Sequence, residues 1–471
     1  MSVNYSPPPH GADGARSWPV GLILVAMMIP TIGIINLYSA AQNFIDPNIW
    51  LKQILWALAA FVLAGLVARI RSTTLELSAW PIYVVTCVLL LLVLAIGVPI
   101  KGAQRWLDLG LFNMQPSEIA KLAIMLVVAR YFAGFEMQGG YTLLALMRPL
   151  NPSRPLGLVL LLGYRLYDHR KDLRVAFKKN QLEVPSFADV IDKANALTDP
   201  PKEIASELAD VDPGWLIPLV LGVATVWFVI AVLVTMRRGV DHRTIIAPAD
   251  IVLVPFVLVL IEPDLGTASI VLAVGASQIL FAGMRPRDLI LAGVGAVMAA
   301  AFAWNNLLHD YQRKRVETFL NPEADIQGSG YHAAQSIIAV GSGRLTGKGW
   351  GEGTQTQLSF LPENHTDFAF SVLGEEWGFV GVAVLVVLFF ALVALMMRCA
   401  SKATDRFSAL LAVGAAAMLF WHAFINIGMV IGLLPVVGVT LPLVSYGGSS
   451  MITKGIAIGF AVNASVNARR S

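Results

Sequence analysis

A polar, glycine-rich segment at residues 341–367 holds the residue types best suited to chemistry. It ends in His365-Thr366-Asp367, directly before a long apolar run. A carboxylate in such a place could act as a general base that takes a proton from a hydroxyl group. Its structural alternative is the N-terminal cap of the following helix, a role that Asp and Thr both fill well. Asp367 can fill both roles at different moments, but a carboxylate bound to backbone amides is a weaker base.

A second group of ionisable residues lies in the sequence QPSEIAK at residues 115–121. Pro116 suits the first turn of a helix, and Glu118 and Lys121 then lie three residues apart on one helix face. The apolar run that follows places both charges at membrane depth, where ionisable groups are costly and often functional. The alternative is a self-neutralising pair that only orients neighbouring helices.

Cations also collect in two predicted outer loops. Residues 101–114 contain Arg105, and residues 306–367 contain Arg344 and Lys348. Basic residues usually prefer cytoplasmic loops, so either the longer loop escapes that rule or these cations face an anionic ligand such as a pyrophosphate. Lys348 is followed by Gly, which excludes a Walker phosphate loop, and the sequence has no H-E-x-x-H zinc motif.

The composition is that of a membrane protein. Of 471 residues, 56% are hydrophobic and 14% are charged, whereas an average soluble domain is about 25% charged. A helix needs about 20 apolar residues to cross the bilayer core. Apolar runs that could form such helices lie near 19–38, 50–69, 80–99, 116–133, 215–236, 250–262, 266–283, 288–305, 370–397, 408–433 and 443–464.

Two interruptions of these runs are candidate cavity walls. Glu262-Pro263-Asp264 separates two spans, and a Pro-, Gly- and Ser-rich break covers residues 441–450. Non-helical backbone at membrane depth usually lines a cavity instead of facing lipid.

Basic residues in short loops, such as Arg69, Arg285 and Arg398, predict a cytoplasmic N-terminus. The region that fits poorly is an apparent insertion after the fourth span, with a basic run, an acidic-polar tail and an extra apolar segment. The predicted organisation is a cytoplasmic tail (1–17), the first four transmembrane helices (18–150), a cytoplasmic insertion (151–246), the middle transmembrane helices (247–305), a large extracytoplasmic loop with the candidate catalytic motif (306–367), and the last three transmembrane helices with a short cytoplasmic tail (368–471).

Taken together, these segments resemble the SEDS family (shape, elongation, division and sporulation), the membrane glycosyltransferases of the bacterial cell wall. The resemblance rests on GAQRWLDLG, QPSEIAK, PDLGT, GSGYHAAQSIIAVGSG, KGWGEGTQTQLSFLPENHTDF, GEEWGFVG and INIGMVIGLLPVVGVTLPLVSYGGSS, in family order between residues 20 and 470. The form KGW-x-x-GTQ-x-Q ahead of LPE-x-HTDF is similar to the elongation branch, RodA, more than to the division branch, FtsW.

The resemblance implies an all-α polytopic fold of about ten transmembrane helices, to which the insertion adds a possible extra membrane segment. It implies peptidoglycan glycosyltransferase activity on lipid II, in the bacterial plasma membrane, with the active site on the extracytoplasmic side. The implied partners are a class B penicillin-binding protein transpeptidase, other elongation-complex membrane proteins and polyprenyl-linked glycan. Binding to nucleic acid is not expected. The essential aspartate of the family falls on Asp367, and its helix-four Glu and Lys fall on Glu118 and Lys121. Glu262 stands where the family usually has Gln.

For this reaction, an inverting transfer with loss of polyprenyl pyrophosphate, we predict that Asp367 takes the proton of the attacking sugar hydroxyl and that Lys121 stabilises the departing pyrophosphate. Further candidates for contacts with the pyrophosphate or the sugar are Glu118, Arg105, Arg344, Lys348 and His365. No cluster of His, Cys and carboxylates demands a metal ligand set. A divalent Mg or Mn ion bridging Asp367 and the pyrophosphate is an alternative for the same charge.

Two other functions are compatible with the same sequence features. A lipid II flippase would also have polar breaks, grooves of polyprenyl size and an outer cationic site. The collection of Asp367 and the cations in outer loops, and not along a path across the membrane, speaks against it. A scaffold that only anchors wall-building enzymes would tolerate replacement of Asp367.

Overall fold

The computed structural model describes residues 18–41, 48–100, 103–108, 113–134, 140–146, 246–285, 287–295, 298, 310–320, 329–358, 360 and 365–467. The predicted tail 1–17, nearly all of the predicted insertion 151–246 and the candidate span 215–236 lie outside the described residues, as do parts of 288–305 and 306–367. By internal contacts the chain falls into two units, residues 1–147 with 248–471, and residues 148–247. The helices and strands named next belong to the first unit.

Five helices and three short strands lie in the described residues of the N-terminal part of this unit. They are α1 (Val20–Ala40), α2 (Ile49–Arg69), α3 (Ser72–Ile96), β1 (Val98–Ile100), β2 (Ala103–Asp108), β3 (Asn113–Met114), α4 (Pro116–Ala133) and α5 (Leu143–Leu146).

The C-terminal part is helical in its named elements. They are α6 (Pro248–Ile261), α7 (Leu265–Phe281), α8 (Asp310–Leu320), α9 (Ser329–Ser342), α10 (Thr354–Gln357), α11 (Ala369–Ser401), α12 (Arg406–Val430) and α13 (Gly448–Asn467).

Within the described residues, five helices are long and apolar enough to cross a membrane: α1, α2, α3, α11 and α12. Helices α6 and α7 are apolar but shorter, and they meet at the predicted break, since α6 ends at Ile261 and α7 begins at Leu265. Helix α4 is buried on almost every side, so it lies at the centre of the bundle. The predicted all-α polytopic fold is confirmed, and the count of ten helices stays a prediction.

The three-stranded antiparallel sheet is a local addition to the helical fold. Its order is β1-β2-β3, with Val98 opposite Trp106 and Leu107 opposite Met114. Strand β3 ends at Met114, and α4 begins at Pro116. Because β2 pairs with β3, the sheet places Arg105 of β2 close to the N-terminus of α4.

Helix α13 packs along α2 through small residues. A Cβ atom on Gly455 would lie 2.6 Å from the carbonyl oxygen of Ala60, and one on Gly459 would lie 2.8 Å from that of Ala64. Such spacing of small residues allows two membrane helices to approach closely, because lipid supplies little hydrophobic force for their association. The close packing holds the N-terminal end of α13 beside α2.

Helix α11 is interrupted at Gly378, where φ is 64°. The loop after α9 contacts α11 at this interruption, since Phe379 N donates to the carbonyl oxygen of Arg344 at 2.9 Å. A Cβ atom on Gly378 would collide with the backbone of Gly347. Glycine is therefore required both by the backbone angle and by the approach of the loop.

Candidate active site

A cavity of about 710 Å³ lies between the ends of several helices. It draws its walls from both predicted breaks, from the small sheet and from the segment before α11. The lining residues are Trp56, Arg105, Trp106, Asn113, Gln115, Glu118, Asp264, Thr267, Ile270, Thr366, Asp367, His422, Gly438–Thr440, Tyr446–Ser450 and Ile452.

Asp367 is half-buried on the wall of this cavity. Helix α11 begins at Ala369 with Phe368 in the N-cap position, so Asp367 stands one residue ahead of the position at which a side chain caps a helix. Its carbonyl oxygen accepts a hydrogen bond from Asn426 Nδ2 at 2.8 Å, and the same amide group donates to Val439 O at 2.6 Å. Asn426 therefore ties Asp367 to the loop between α12 and α13.

A buried charge network lies directly behind another wall of the cavity. Lys121 Nζ lies 2.5 Å from Glu118 Oε1 and 3.0 Å from His422 Nε2. Lys454 Nζ lies 3.8 Å from the second carboxylate oxygen of Glu118 and donates a short hydrogen bond to Ser450. Glu118 and His422 line the cavity, whereas both lysines are fully buried behind them.

Arg105 lines the cavity from strand β2 and reaches the break between α6 and α7. Its guanidinium donates to the carbonyl oxygens of Glu262, at 3.3 Å, and Pro263. It also forms an ion pair of 3.8 Å with Asp264. Asp264 accepts from Thr267 N at 3.1 Å, which caps α7. Arg105 thus joins the sheet to a helix N-terminus at the cavity wall.

Glu262 lies in the turn between α6 and α7 and is fully buried. Among the described residues, neither of its carboxylate oxygens has a hydrogen-bond partner. Burial, reinforced by the nearby charge of Asp264 and opposed by that of Arg105, raises the pKa of Glu262 to about 9. The carboxyl group is therefore protonated at neutral pH, which makes it resemble the Gln expected from the family.

The structure places two of the predicted ligand cations elsewhere. Arg344 is exposed in the loop after α9, and neither it nor Lys348 lines the cavity. Lys348 Nζ binds Glu375 Oε1 of helix α11 at 2.6 Å and Thr354 Oγ1 at 2.8 Å. These contacts fasten the glycine-rich loop to α11.

His365 is a neighbour of the cavity wall. Its carbonyl oxygen accepts from Tyr446 N at 2.9 Å, and the rings of the two residues are tilted at a centroid distance of 6.3 Å. The structure thus brings Asp367, Glu118 and Arg105 to one cavity, with Lys121 behind Glu118 and His365 beside Thr366. In the described ranges, no group of three His, Cys, Asp or Glu residues could hold a metal ion. A bound divalent ion would need further oxygen ligands from the substrate.

Residues 19–150 and 219–470 match the profile of the cell cycle protein family FtsW/RodA/SpoVE. This chain belongs to the FtsW/RodA/SpoVE family. The profile skips residues 151–218, inside the segment predicted to be an insertion.

The relatives of this FtsW/RodA/SpoVE chain carry enzyme names. The peptidoglycan glycosyltransferase MrdB of Escherichia coli (strain K12) is 34% identical over 95% of this chain and 92% of its own length. A probable peptidoglycan glycosyltransferase FtsW of Trichlorobacter lovleyi is 31% identical over 94% of this chain and 92% of its own length. The family predicted from the sequence is confirmed.

Two solved structures share the fold of this FtsW/RodA/SpoVE chain. A chain of a peptidoglycan synthase complex, described for its structural coordination of polymerization and crosslinking, aligns with a TM-score of 0.64 at 26% identity, covering 97% of this chain and 99% of its own. The rod shape determining protein RodA of Thermus thermophilus aligns with a TM-score of 0.56 at 24% identity over the same shares.

Several polar residues in or next to the cavity were not predicted from the sequence. Lys454 and His422 were available from the rule that selected Glu118 and Lys121, because each is an ionisable residue inside a predicted span. Asn426 and Thr440 gave no such signal, since uncharged polar residues are common in membrane helices and loops.

Proposed function

We propose that this chain is a peptidoglycan glycosyltransferase that polymerises lipid II into glycan strands during cell-wall elongation and rod-shape maintenance. The observation that carries the proposal is the position of Asp367 on a cavity wall that it shares with Glu118 and Arg105. The names of the relatives at 31% and 34% identity support the same activity.

Asp367 is the proposed general base. The 4-hydroxyl of an incoming lipid II sugar attacks the anomeric carbon of the growing glycan, and its proton passes to the Asp367 carboxylate. A bond forms between the hydroxyl oxygen and the anomeric carbon, while the bond from that carbon to the diphosphate oxygen breaks. The configuration inverts, from an alpha-linked diphosphate to a beta-1,4 linkage. General-base catalysis of this kind contributes about 10²- to 10⁴-fold to the rate.

Basic groups that could stabilise the departing diphosphate lie directly behind the cavity wall. Two lysine side chains, Lys121 and Lys454, flank the one carboxylate of Glu118. Lys121 is held behind Glu118 and His422, so it acts on the cavity through its field and not by direct contact. Charges fixed in a poorly solvated site stabilise a developing opposite charge more strongly than the same charges in water.

We assign the cavity to the extracytoplasmic side of a bacterial plasma membrane, where lipid II is displayed for polymerisation. The sidedness is supported by the basic residues of the short loops, which favour a cytoplasmic N-terminus. A class B penicillin-binding protein is the proposed partner, because one similar solved chain comes from a complex that coordinates polymerization with crosslinking.

The test is polymerisation of lipid II by the purified full chain in proteoliposomes that display lipid II on the outer surface. Glycan is separated on a gel, with and without the transpeptidase. Asp367→Asn should reduce glycan synthesis by at least ~100-fold. The matched control is Asp405→Asn, since Asp405 caps α12 through Ser408 N and Asn caps a helix equally well.

Two outcomes would contradict the proposal in different ways. Polymerisation at the unaltered rate by Asp367→Asn would remove this residue from the mechanism. Vesicles that transfer lipid II between leaflets and make no glycan would favour the flippase alternative.

A further inference from the structure

Thr440 is the point at which two hydrogen-bond chains from buried lysines converge. It is half-buried, lies in the loop between α12 and α13, and lines the same cavity as Asp367. The two chains contact it at different atoms, one at its carbonyl oxygen and one at its hydroxyl group.

The first chain starts at Lys121 and passes through His422. An ammonium group can only donate hydrogen bonds, so His422 Nε2, at 3.0 Å from Lys121 Nζ, must be the acceptor. The neutral ring then carries its proton on Nδ1, which faces the carbonyl oxygen of Thr440 at 3.4 Å. This contact fixes the backbone of Thr440 at the cavity wall.

The second chain starts at Lys454 and passes through Ser450. Lys454 donates to Ser450 Oγ, and Ser450 Oγ lies 3.1 Å from Thr440 Oγ1. A hydroxyl group that accepts from an ammonium is polarised and becomes the stronger donor of a hydroxyl pair. Ser450 therefore donates to Thr440, and the hydroxyl proton of Thr440 is left for a group in the cavity.

The charge balance of the same network favours an anion as that group. Glu118 supplies one negative charge between the ammonium groups of Lys121, at 2.5 Å, and Lys454, at 3.8 Å. Because His422 is neutral in this arrangement, the network holds two basic groups, Lys121 and Lys454, for one carboxylate. Burying two protonated lysines beside one carboxylate is costly, and an anionic ligand in the adjoining cavity would offset that cost.

We propose that the hydroxyl group of Thr440 donates a hydrogen bond to a diphosphate oxygen of the polyprenyl-linked substrate, and that Lys454 positions and polarises this donor through Ser450. The inference rests on the proposed function, which supplies the diphosphate as the anionic group. Thr440 is a substrate-contacting residue in this arrangement, and Lys454 is a positioning residue.

The experiment compares two ligands on the purified full chain in detergent. The probes are a polyprenyl diphosphate and the uncharged polyprenol of equal chain length. Thr440→Val should weaken binding of the diphosphate by ~10- to 100-fold, the value of a hydrogen bond to a charged group, and change binding of the polyprenol less than ~2-fold. Lys454→Met should show the same selectivity for the diphosphate, with a smaller loss.

Two further variants separate this role from a structural one. Thr440→Ser keeps the hydroxyl group and should recover most of the affinity that Thr440→Val loses. Thr31→Val is the matched control, because the Thr31 hydroxyl bonds only the Met27 carbonyl oxygen of its own exposed helix face in the described contacts. The inference is overturned if Thr440→Val binds the diphosphate normally, if it loses both ligands equally, or if Thr440→Ser loses as much as Thr440→Val.

Lipid II polymerisation by the same proteins distinguishes this inference from the proposed function. Glycan synthesis that depends on Asp367, together with diphosphate binding that ignores Thr440, would overturn the inference alone. Diphosphate binding that depends on Thr440, in a chain that makes no glycan, would overturn the proposed function and support the binding site.

Discussion

Two lysine–glutamate pairs in this protein have nearly the same geometry and different surroundings. Lys121 and Glu118 lie 2.5 Å apart beside the cavity, and Lys348 and Glu375 lie 2.6 Å apart where the glycine-rich loop after α9 meets α11. Both glutamates are buried. From the sequence alone, both lysines were candidates for contact with the same diphosphate.

The difference lies in what else binds each carboxylate. Glu375 accepts hydrogen bonds from the backbone N of Gln355 at 3.0 Å and Thr356 at 3.4 Å, and from the hydroxyl groups of Thr354 and Thr356. Its charge is satisfied by the loop that it holds. Glu118 instead meets the side chain of a second lysine, Lys454, so its network holds two basic groups for one carboxylate beside a cavity. The same ion pair thus serves as a fastener in one place and as part of a site in the other.

The largest expected effect is at the cavity pair. Lys121→Ala should reduce lipid II polymerisation by about 10²- to 10³-fold, because it removes a fixed charge that stabilises the leaving group. The gel assay for glycan measures the rate, and thermal unfolding in detergent measures stability. Normal polymerisation with a lowered melting temperature would make Lys121 a structural residue like Lys348, and the comparison would fail.

A smaller effect is expected at Asn426, which ties Asp367 to the cavity loop. Asn426→Leu should reduce polymerisation by roughly 10-fold and destabilise the protein by about 1–3 kcal/mol, because two carbonyl groups lose their donor. Asn467→Leu is the matched control. Asn467 lies at the C-terminal end of α13, whereas the cavity lies at the N-terminal end of that helix, and its side chain donates to Ile70 O at 2.7 Å. This control should lower the melting temperature and leave polymerisation near normal; equal losses of activity would deny Asn426 a specific role.

Removal of the ion pair between Lys348 and Glu375 should lower the stability of the protein more than its activity. Lys348→Met leaves Glu375 with its hydroxyl and backbone donors, so the loss of folding free energy should be about 1–2 kcal/mol, below that of a buried charge left without partners. Faster proteolysis of the loop at 343–357 would report the change, and polymerisation should fall less than ~10-fold. A loss of activity as large as that of Lys121→Ala, at an unchanged melting temperature, would move Lys348 into the site.

The smallest effect on activity is expected at Glu262, a buried carboxyl group that no cation contacts directly among the described side chains. Its pKa is raised from 4.5 to about 9, so the folded state retains a proton that the unfolded state releases. Stability should therefore be greatest below pH 4.5 and decline as pH rises toward about 9. Glu262→Gln should remove this decline and melt higher than the parent protein at pH 8, with equal melting temperatures near pH 5. A difference in melting temperature between Glu262→Gln and the parent protein that does not vary with pH would show that Glu262 is ionised and paired.

Much of the fold was predictable because each membrane-spanning helix is a long run of apolar residues in the sequence. The predicted spans near 19–38, 50–69 and 116–133 agree with α1, α2 and α4 within a few residues. The last span was predicted to begin at residue 443, but α13 begins at Gly448. The small sheet was not predicted, since its strands are only two to six residues long and have too few positions to show a period.

The sequence by itself determined the family and the polytopic helical class, because long motifs and long apolar runs can be read directly from the order of the residues. It also singled out Asp367, Glu118, Lys121 and Arg105 as candidate site residues. Only the tertiary structure decided that Lys348 fastens a loop and that Lys454, His422 and Thr440 join one network at the cavity. These contacts connect residues from helices far apart in the chain, as in the 301 positions between Lys121 and His422. Local spacing carries no information about such pairs, since it is the packing of the helices that brings their side chains within hydrogen-bond distance.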